Sequence, residues 1–376
     1  MSEREVAVVG VGQSDFGALF ADRSTQRDAA ALAVDALAEA LQDAGLKATD
    51  VDGLLTARVG YEAVANAAGL HGLRLVNGFD GSGRMSGLAV HQAAMAIRSG
   101  EVDTVALAYG TNARSAQVDF SAAYADSTAQ LDAIYGMASP GAYTAMMFQH
   151  YCQLYGADED CLMPVALNNR RHAALNPRAA LRRPLDAQGY LDSPRLAAPL
   201  RLPDYCVVAD GGVALVLTTL ERAADLPHRP VSIAASAVRA DVRPNYVNQD
   251  LYHSACQDIA ARLRARTGLA PEDVDCLQVY DNFTPIVLFA LEGFGHADRG
   301  TAWQWVRDHQ LGFDGSRPLN TSGGHTGEGY LQGWALHVEA VRQIRGQGGE
   351  RQVPNCDVVQ YMCASPVSSS HVLVGR

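Results

Sequence analysis

GLKATDVDGL at residues 45–54 and GLAPEDVDCL at residues 268–277 are one short pattern used twice. In the first, Gly45-Leu46 closes a helix-like stretch and leads through Asp50-Val51-Asp52 to the apolar Leu54. In the second, Gly268-Leu269 leads through Asp273-Val274-Asp275 to Leu277 with identical spacing. Long-range self-similarity is informative because it constrains the whole chain and not one segment. Working outward, Gly87, Ala89, His91, Ala94 and Gly100 are matched at constant offset by Gly333, Ala335, His337, Ala340 and Gly346. Each series feeds an apolar, β-branched run, Val102 to Tyr109 in one and Val358 to Met362 in the other, and Arg4 to Val9 resembles Arg229 to Ile233. Four matches in the same order point to a duplicated α/β unit.

Periodicity supports this. Ala33, Leu37, Ala40, Leu41 and Ala44 share one face at helical spacing, with Gly45 as the C-cap. Val6 to Val9, Val213 to Leu217 and His371 to Val374 read as strands. Strands alternating with helices imply helix-covered sheets in two similar halves, residues 1–225 and 226–376. Between about 112 and 200 the pattern has no counterpart, so that stretch is expected to be a loop or cap insertion in the first half.

Composition narrows the function. At 376 residues, 48% hydrophobic and 19% charged, the chain can bury a large core. A net charge of -11 argues against nucleic-acid and anionic-membrane binding, both of which reward an electropositive surface. Seven cysteines show no CxxC pair and no metal-ligand spacing. Met1-Ser2-Glu3-Arg4-Glu5 runs into the strand-length Val6-Ala7-Val8-Val9 without a signal-peptide cleavage pattern, and no apolar run nears the roughly 20 residues that span a bilayer. A reduced, cytoplasmic setting is expected, with no membrane insertion.

Two fused α/β halves with an insertion in the first are similar to the thiolase superfamily, and local sequences agree. Asp210-Gly211-Gly212-Val213-Ala214-Leu215 resembles the family's glycine turn and the strand closing the first half. Asn168 to Ala179, with His172 and Asn176-Pro177, resembles the insertion of the sterol-carrier-protein type of thiolase. Asn320-Thr321-Ser322-Gly323-Gly324 resembles the stretch before the second half's key helix. The resemblance covers essentially the whole chain and implies the five-layer αβαβα thiolase fold.

The catalytic positions depart from that family. Its nucleophilic Cys stands three residues before the Gly that opens the first conserved helix; here that Gly is Gly87 and the position is Arg84. No cysteine precedes Cys152, so a small shift of alignment cannot restore it. The activating His of the family's G-H-P maps onto Tyr330, and the Asn or His of its third motif onto Tyr280 in Tyr280-Asp281-Asn282-Phe283. Cys363 keeps the place of the second, acid/base cysteine. With both members of the nucleophile pair replaced, covalent acyl transfer has no evident agent. The combination resembles the lipid-transfer-protein-like retro-aldolases of bacterial steroid side-chain degradation. That resemblance implies cleavage of a β-hydroxyacyl-CoA to a 17-keto steroid and propionyl-CoA, a homodimer, and a zinc-ribbon/OB-fold partner of the DUF35 type. No cofactor is implied beyond the substrate's own CoA, and zinc only in the partner.

Retro-aldol cleavage needs a base for the hydroxyl proton, a site for the enolate and an acid to protonate it. Tyr330, near the start of a helix, would have its phenolate favoured by the positive dipole end, which matters because tyrosine's reference pKa is about 10. Tyr280 is the second proton-transfer group and Cys363 the third; acid and base stay unassigned between the tyrosines. His325 is expected at the thioester oxygen, and backbone N–H groups of the Gly323-Gly324 and Gly327 to Gly329 turns at the oxyanion. Without the family map, a tyrosine here reads as core and Cys363 as a small buried hydrophobe. His91 and His337 read as packed helix residues, His150 and His172 as ordinary polar residues of the insertion, and Arg84 as a cap or carboxylate partner. Arg170, Arg171, Arg178, Arg182 and Arg183 suit CoA phosphates, or equally a solvated face or subunit contact. The alternatives to a lyase are a divergent thiolase-like acyl-CoA acyltransferase and a non-catalytic acyl-CoA or lipid-binding scaffold. Gly10-Val11-Gly12 is too short for a dinucleotide fingerprint.

Overall fold

The β-rich runs form strands in the computed structural model, which describes residues 4–22, 26–80, 84–120, 134–137, 139–241 and 248–375. In chain order they are β1 (Val6–Gln13), β2 (Gly53–Ala57), β3 (Leu75–Phe79), β4 (Thr104–Thr111), β5 (Arg195–Ala197), β6 (Leu200–Arg201) and β7 (Gly211–Thr219). They continue as β8 (Val231–Ala240), β9 (Cys276–Val279), β10 (Val358–Cys363) and β11 (Val367–Gly375). Apart from the β5–β6 hairpin, they join in one sheet ordered β3-β2-β4-β7-β1-β8-β11-β10-β9.

That order is the sequence duplication made visible. Outward from the β1–β8 contact it reads β7, β4, β2 on one side and β11, β10, β9 on the other, with β3 alone lacking a counterpart among the described residues. The inner pairs β2–β4 and β9–β10 are parallel, while β4–β7 and β10–β11 are antiparallel. Hydrogen bonding runs continuously between the halves, because β1 and β8 meet antiparallel at Ala7–Ser232 and Val8–Val231.

The repeated Asp-Val-Asp has a physical reason. Asp50 accepts the Lys47 N–H and Asp273 the Ala270 N–H, each closing a single helical turn. Asp52 accepts the N–H groups of Asp103 and Thr104 as β4 begins, and Asp275 those of Asp357 and Val358 as β10 begins. Each half thus uses one carboxylate to close a turn and the next to start a strand.

Helices complete five layers. The Ala29–Ala44 helix, capped by Asp28 and by Gly45 in the left-handed region, buries Ala33, Leu37, Ala40 and Leu41 against the outer face of the first half. Helices Met85–Ser99 and Trp334–Ile344 lie between the halves and share one core with strand residues of both, including Val105, Leu215, Val359 and Leu373. His253–Thr267 and Thr284–Gly293 cover the outer face of the second half.

The insertion is not an independent cap. Its helices Pro140–Tyr155 and Met163–Leu175 bury Phe148, Tyr151 and Val165 in the same cluster as Ile286, Phe289 and Leu291 of the second half. Residues 121–133 and 138, which the sequence assigns to this insertion, and Met1 to Glu3 lie outside the described residues.

Candidate active site

Strand ends and helix starts converge at one place. Tyr280 directly follows β9 and continues its ladder, donating its backbone N–H to the Met362 carbonyl. Tyr330 stands after the short turn Gly324–Gly327 and donates its backbone N–H to Val207. Their hydroxyl oxygens are 2.9 Å apart. The Tyr280 oxygen also accepts the backbone N–H of Arg84 at 3.3 Å, and Arg84 is the N-cap of the Met85–Ser99 helix, held at φ 53. Tyr280 is 3% exposed, whereas Tyr330 is half-buried and is the member of the pair with access from outside.

A second helix start, besides the one expected near Tyr330, reaches the pair. Tyr330 lies ahead of the Trp334–Ile344 helix, whose N-cap is Gly333. The Tyr280 hydroxyl meets the N-terminus of the first half's central helix.

Cys363, the last residue of β10, is buried with Tyr280, Tyr361 and Leu336, and Tyr330 packs on this group. Burial pushes its thiol up to about 11, so it stays protonated, and its sulfur lies 3.4 Å from Ser365 Oγ. Tyr361, which sequence reasoning missed, contacts Ser86 Oγ at 3.1 Å; burial raises its hydroxyl well above the ordinary tyrosine value. Gly333 explains why this neighbourhood can close. At φ 90, a Cβ there would lie 2.5 Å from Ser86 Oγ and 2.7 Å from the Tyr361 hydroxyl.

His325 does not reach toward a substrate. Its Nε2 accepts the Gly333 N–H at 2.8 Å, its Nδ1 faces Asp281 Oδ1 at 3.2 Å, and it is 1% exposed. Both ring nitrogens are turned to the protein and away from solvent, an arrangement that does not favour the expected contact with a thioester oxygen. The glycine turns are similarly engaged. The Gly323 N–H goes to Asn320 and the Gly329 N–H to Gly324, while the His325 N–H goes to Asp281. The expected oxyanion donors at Gly323 and Gly329 are thus used inside the turn.

Support comes from the insertion. Asn169 Nδ2 donates to Asp281, Asn176 Nδ2 to the Ser322 carbonyl, and His172 bridges the Asn320 carbonyl and the Phe313 N–H. His172, expected only as an ordinary polar residue of the insertion, is a fully buried strut; burial lowers it to about 4. Asn320 closes the frame by bonding both backbone groups of Val279.

The arginines do not assemble into one phosphate site. Arg178 turns inward to the Gln13 carbonyl and Glu39, Arg171 pairs with Asp314 at 2.9 Å, and Arg170 contacts the Arg183 carbonyl. Neighbours on a helix point about 100° apart, so Arg170 and Arg171 serve different faces. Arg182 and Arg183 are exposed. A cleft of about 890 Å³ opens beside Arg171, between the Met163–Leu175 helix and residues 306–314, but neither tyrosine lines it. No cluster of three or more metal-ligating side chains occurs among the described residues, and no helix there is long and apolar enough to cross a membrane.

Two like α/β halves, with the starts of both central helices brought against strand ends at a tyrosine pair, define a thiolase-fold protein. Residues 241–374 match the family described as Thiolase C-terminal domain-like. The whole chain is 35% identical to the full length of a 17-hydroxy-3-oxo-4-pregnene-20-carboxyl-CoA lyase of Mycobacterium tuberculosis. It is 34% identical, over 90% of each chain, to a steroid side-chain-cleaving aldolase of Thermomonospora curvata. A solved structure named Ltp2-ChsH2(DUF35) aldolase superposes with a TM-score of 0.87 at 32% identity, covering 99% of this chain and 98% of that one. The chain belongs to the thiolase superfamily and, within it, to the family of the steroid side-chain-cleaving aldolases.

Proposed function

We propose that this chain is a retro-aldol carbon–carbon lyase. Its substrate is a β-hydroxyacyl-CoA, a 17-hydroxy steroid side-chain CoA ester, cleaved to a 17-keto steroid and propionyl-CoA with no acyl-enzyme. The observation that carries the reading is the 2.9 Å contact between the Tyr280 and Tyr330 hydroxyls, at positions where thiolases keep proton-handling groups. Full-length similarity to a protein named for its action on 17-hydroxy-3-oxo-4-pregnene-20-carboxyl-CoA supports the substrate class.

Tyr330, the accessible member, takes the proton of the substrate's tertiary hydroxyl. The oxygen's electron pair forms the ketone as the bond to the α-carbon breaks, and the bonding pair becomes the thioester enolate. A proton from the pair, or from the protonated Cys363, then reaches the α-carbon. One proton leaves the substrate and one returns, so the step is redox-neutral. The Arg84 N–H and the helix behind it favour negative charge on the Tyr280 oxygen, which lowers the cost of running the pair as a base.

The structure named with ChsH2(DUF35) supports a DUF35 partner; in this reading the partner is of the zinc-ribbon/OB-fold kind and activity depends on it. A homodimer through the β3 sheet edge and a cytoplasmic setting complete the reading, with Arg182 and Arg183 the exposed candidates for CoA phosphates.

The test is incubation with a 17-hydroxy steroid side-chain CoA ester, with the chain alone and coexpressed with a DUF35 partner. Equal amounts of ketone and propionyl-CoA are expected, with the protein's intact mass unchanged. A stable acyl adduct would instead establish the acyltransferase, and no turnover of any β-hydroxyacyl-CoA by the complex would leave a binding scaffold.

A further inference from the structure

Behind the tyrosine pair stands a second polar unit that touches neither hydroxyl. Asp281 is completely buried, and its carboxylate receives the His325 N–H at 2.8 Å and Asn169 Nδ2 at 2.8 Å. The His325 ring is packed edge-on against both tyrosine rings, with centroids 4.7 Å from Tyr280 and 5.3 Å from Tyr330.

The tautomer follows from the hydrogen bonds. Gly333 donates its N–H to Nε2, so that nitrogen must present its lone pair. A neutral ring then carries its hydrogen on Nδ1, the side facing Asp281 Oδ1 at 3.2 Å, although that contact is bent away from ideal hydrogen-bond geometry.

We infer that Asp281 and His325 are positioning residues: the carboxylate selects the Nδ1–H form of His325, whose Nε2 then anchors Gly333 and holds Tyr330 against Tyr280. Gly333 is the N-cap of the second central helix and lies three residues after Tyr330, so its anchor fixes the segment that carries the catalytic hydroxyl. An acid/base role for His325 is not part of this assignment, because neither ring nitrogen faces open space. The inference rests on the lyase reading for its kinetic consequence but not for its structural one.

Nitrogen NMR of the uniformly labelled protein tests the structural part without substrate. His325 is expected as a single Nδ1–H tautomer, and an Nε2–H signal would overturn the assignment. Asp281→Ala should mix the two forms; an unchanged single signal would remove Asp281 from the unit.

Kinetics on the partner-bound enzyme test the rest. His325→Ala removes the acceptor and should lower kcat about a hundredfold, the order expected when a reacting group is misplaced by an ångström. His325→Gln offers an amide oxygen near the Nε2 position and should recover at least about tenfold of that loss. The pH profile of kcat/KM should stay where the wild type has it. A folded His325→Gln as inactive as His325→Ala, or a shifted pH profile, would show that the imidazole transfers protons. Absence of wild-type turnover would sink the lyase reading while leaving the NMR result to decide the strut.

Discussion

Replacing each tyrosine of the pair by Phe should separate stability from catalysis, because the two hydroxyls sit in different surroundings. Tyr280→Phe deletes an oxygen at a position 3% exposed, one that receives the Arg84 N–H and meets the Tyr330 hydroxyl. Taking the acceptor away from a buried donor costs about 1–3 kcal/mol. Tyr330→Phe deletes a hydroxyl at a half-buried position, and loss of such a hydrogen bond costs about 0.5–1.5 kcal/mol. Turnover should behave differently, falling about a hundredfold to ten-thousandfold for either change, as general acid–base catalysis typically contributes. The double variant should lose less than the product of the single losses, since the proposed mechanism uses the hydroxyls as one unit. Urea denaturation at constant m-value measures the first quantity and single-turnover ketone release the second. Near-normal turnover by both single variants, with Cys363→Ala inactive, would overturn the tyrosine mechanism in favour of proton transfer at the α-carbon. A larger stability loss for Tyr330→Phe than for Tyr280→Phe would contradict the burial argument.

Gly333→Ala combines a positive φ with contacts of 2.5 Å and 2.7 Å to Ser86 and Tyr361. Strain of about 1–2 kcal/mol and overpacking of about 1–3 kcal/mol should appear together as a lowered Tm by calorimetry. Cys363→Ala should reduce turnover less than either tyrosine change, since cleavage starts at the hydroxyl; rapid-quench assays would show it. Stability should fall on acidification, because burial holds His172 at about 4, His371 at about 3 and His337 well below its usual value. The unfolded chain takes up these protons below about pH 6.5 and the folded chain does not, so each histidine costs about 1.4 kcal/mol per pH unit in that window. Glu328, pushed up to about 7 by burial, works oppositely between about pH 4.5 and 7, so the steepest loss belongs below pH 4.5. Circular dichroism against pH reads this, and a flat profile from pH 7 to 4 would refute it. Light scattering at micromolar concentration should give a dimer, and a monomer would contradict β3 edge pairing.

How much was legible depended on whether a feature was repeated. The Asp-Val-Asp pairs were readable because the same two backbone-capping tasks occur in both halves, and the mirrored strand order is that repetition in the fold. Arg84 and Tyr330 were placed by the same symmetry, since each lies three residues before a matched glycine, Gly87 or Gly333, at the start of a central helix. The continuous β1–β8 junction was not legible, because strand periodicity fixes which face is buried but not which edge pairs.

The supporting shell was hidden for a different reason. Asp281, Asn169, His172 and Tyr361 act on backbone groups or on other side chains over long sequence separations, and the insertion that supplies Asn169 and His172 has no copy in the second half to compare with. Asp281 stood in plain view in Tyr280-Asp281-Asn282-Phe283, and a carboxylate directly after a buried strand was the available signal. Its partner His325 was visible too, but spacing from Tyr330 measures distance along the chain and not which way the ring nitrogens turn. Two backbone N–H groups decide that: Gly333 takes Nε2, and the His325 N–H itself binds the carboxylate toward which Nδ1 turns. The paired tyrosines could therefore be located from aligned positions, whereas the arrangement around them emerges only when each buried donor is followed to its acceptor.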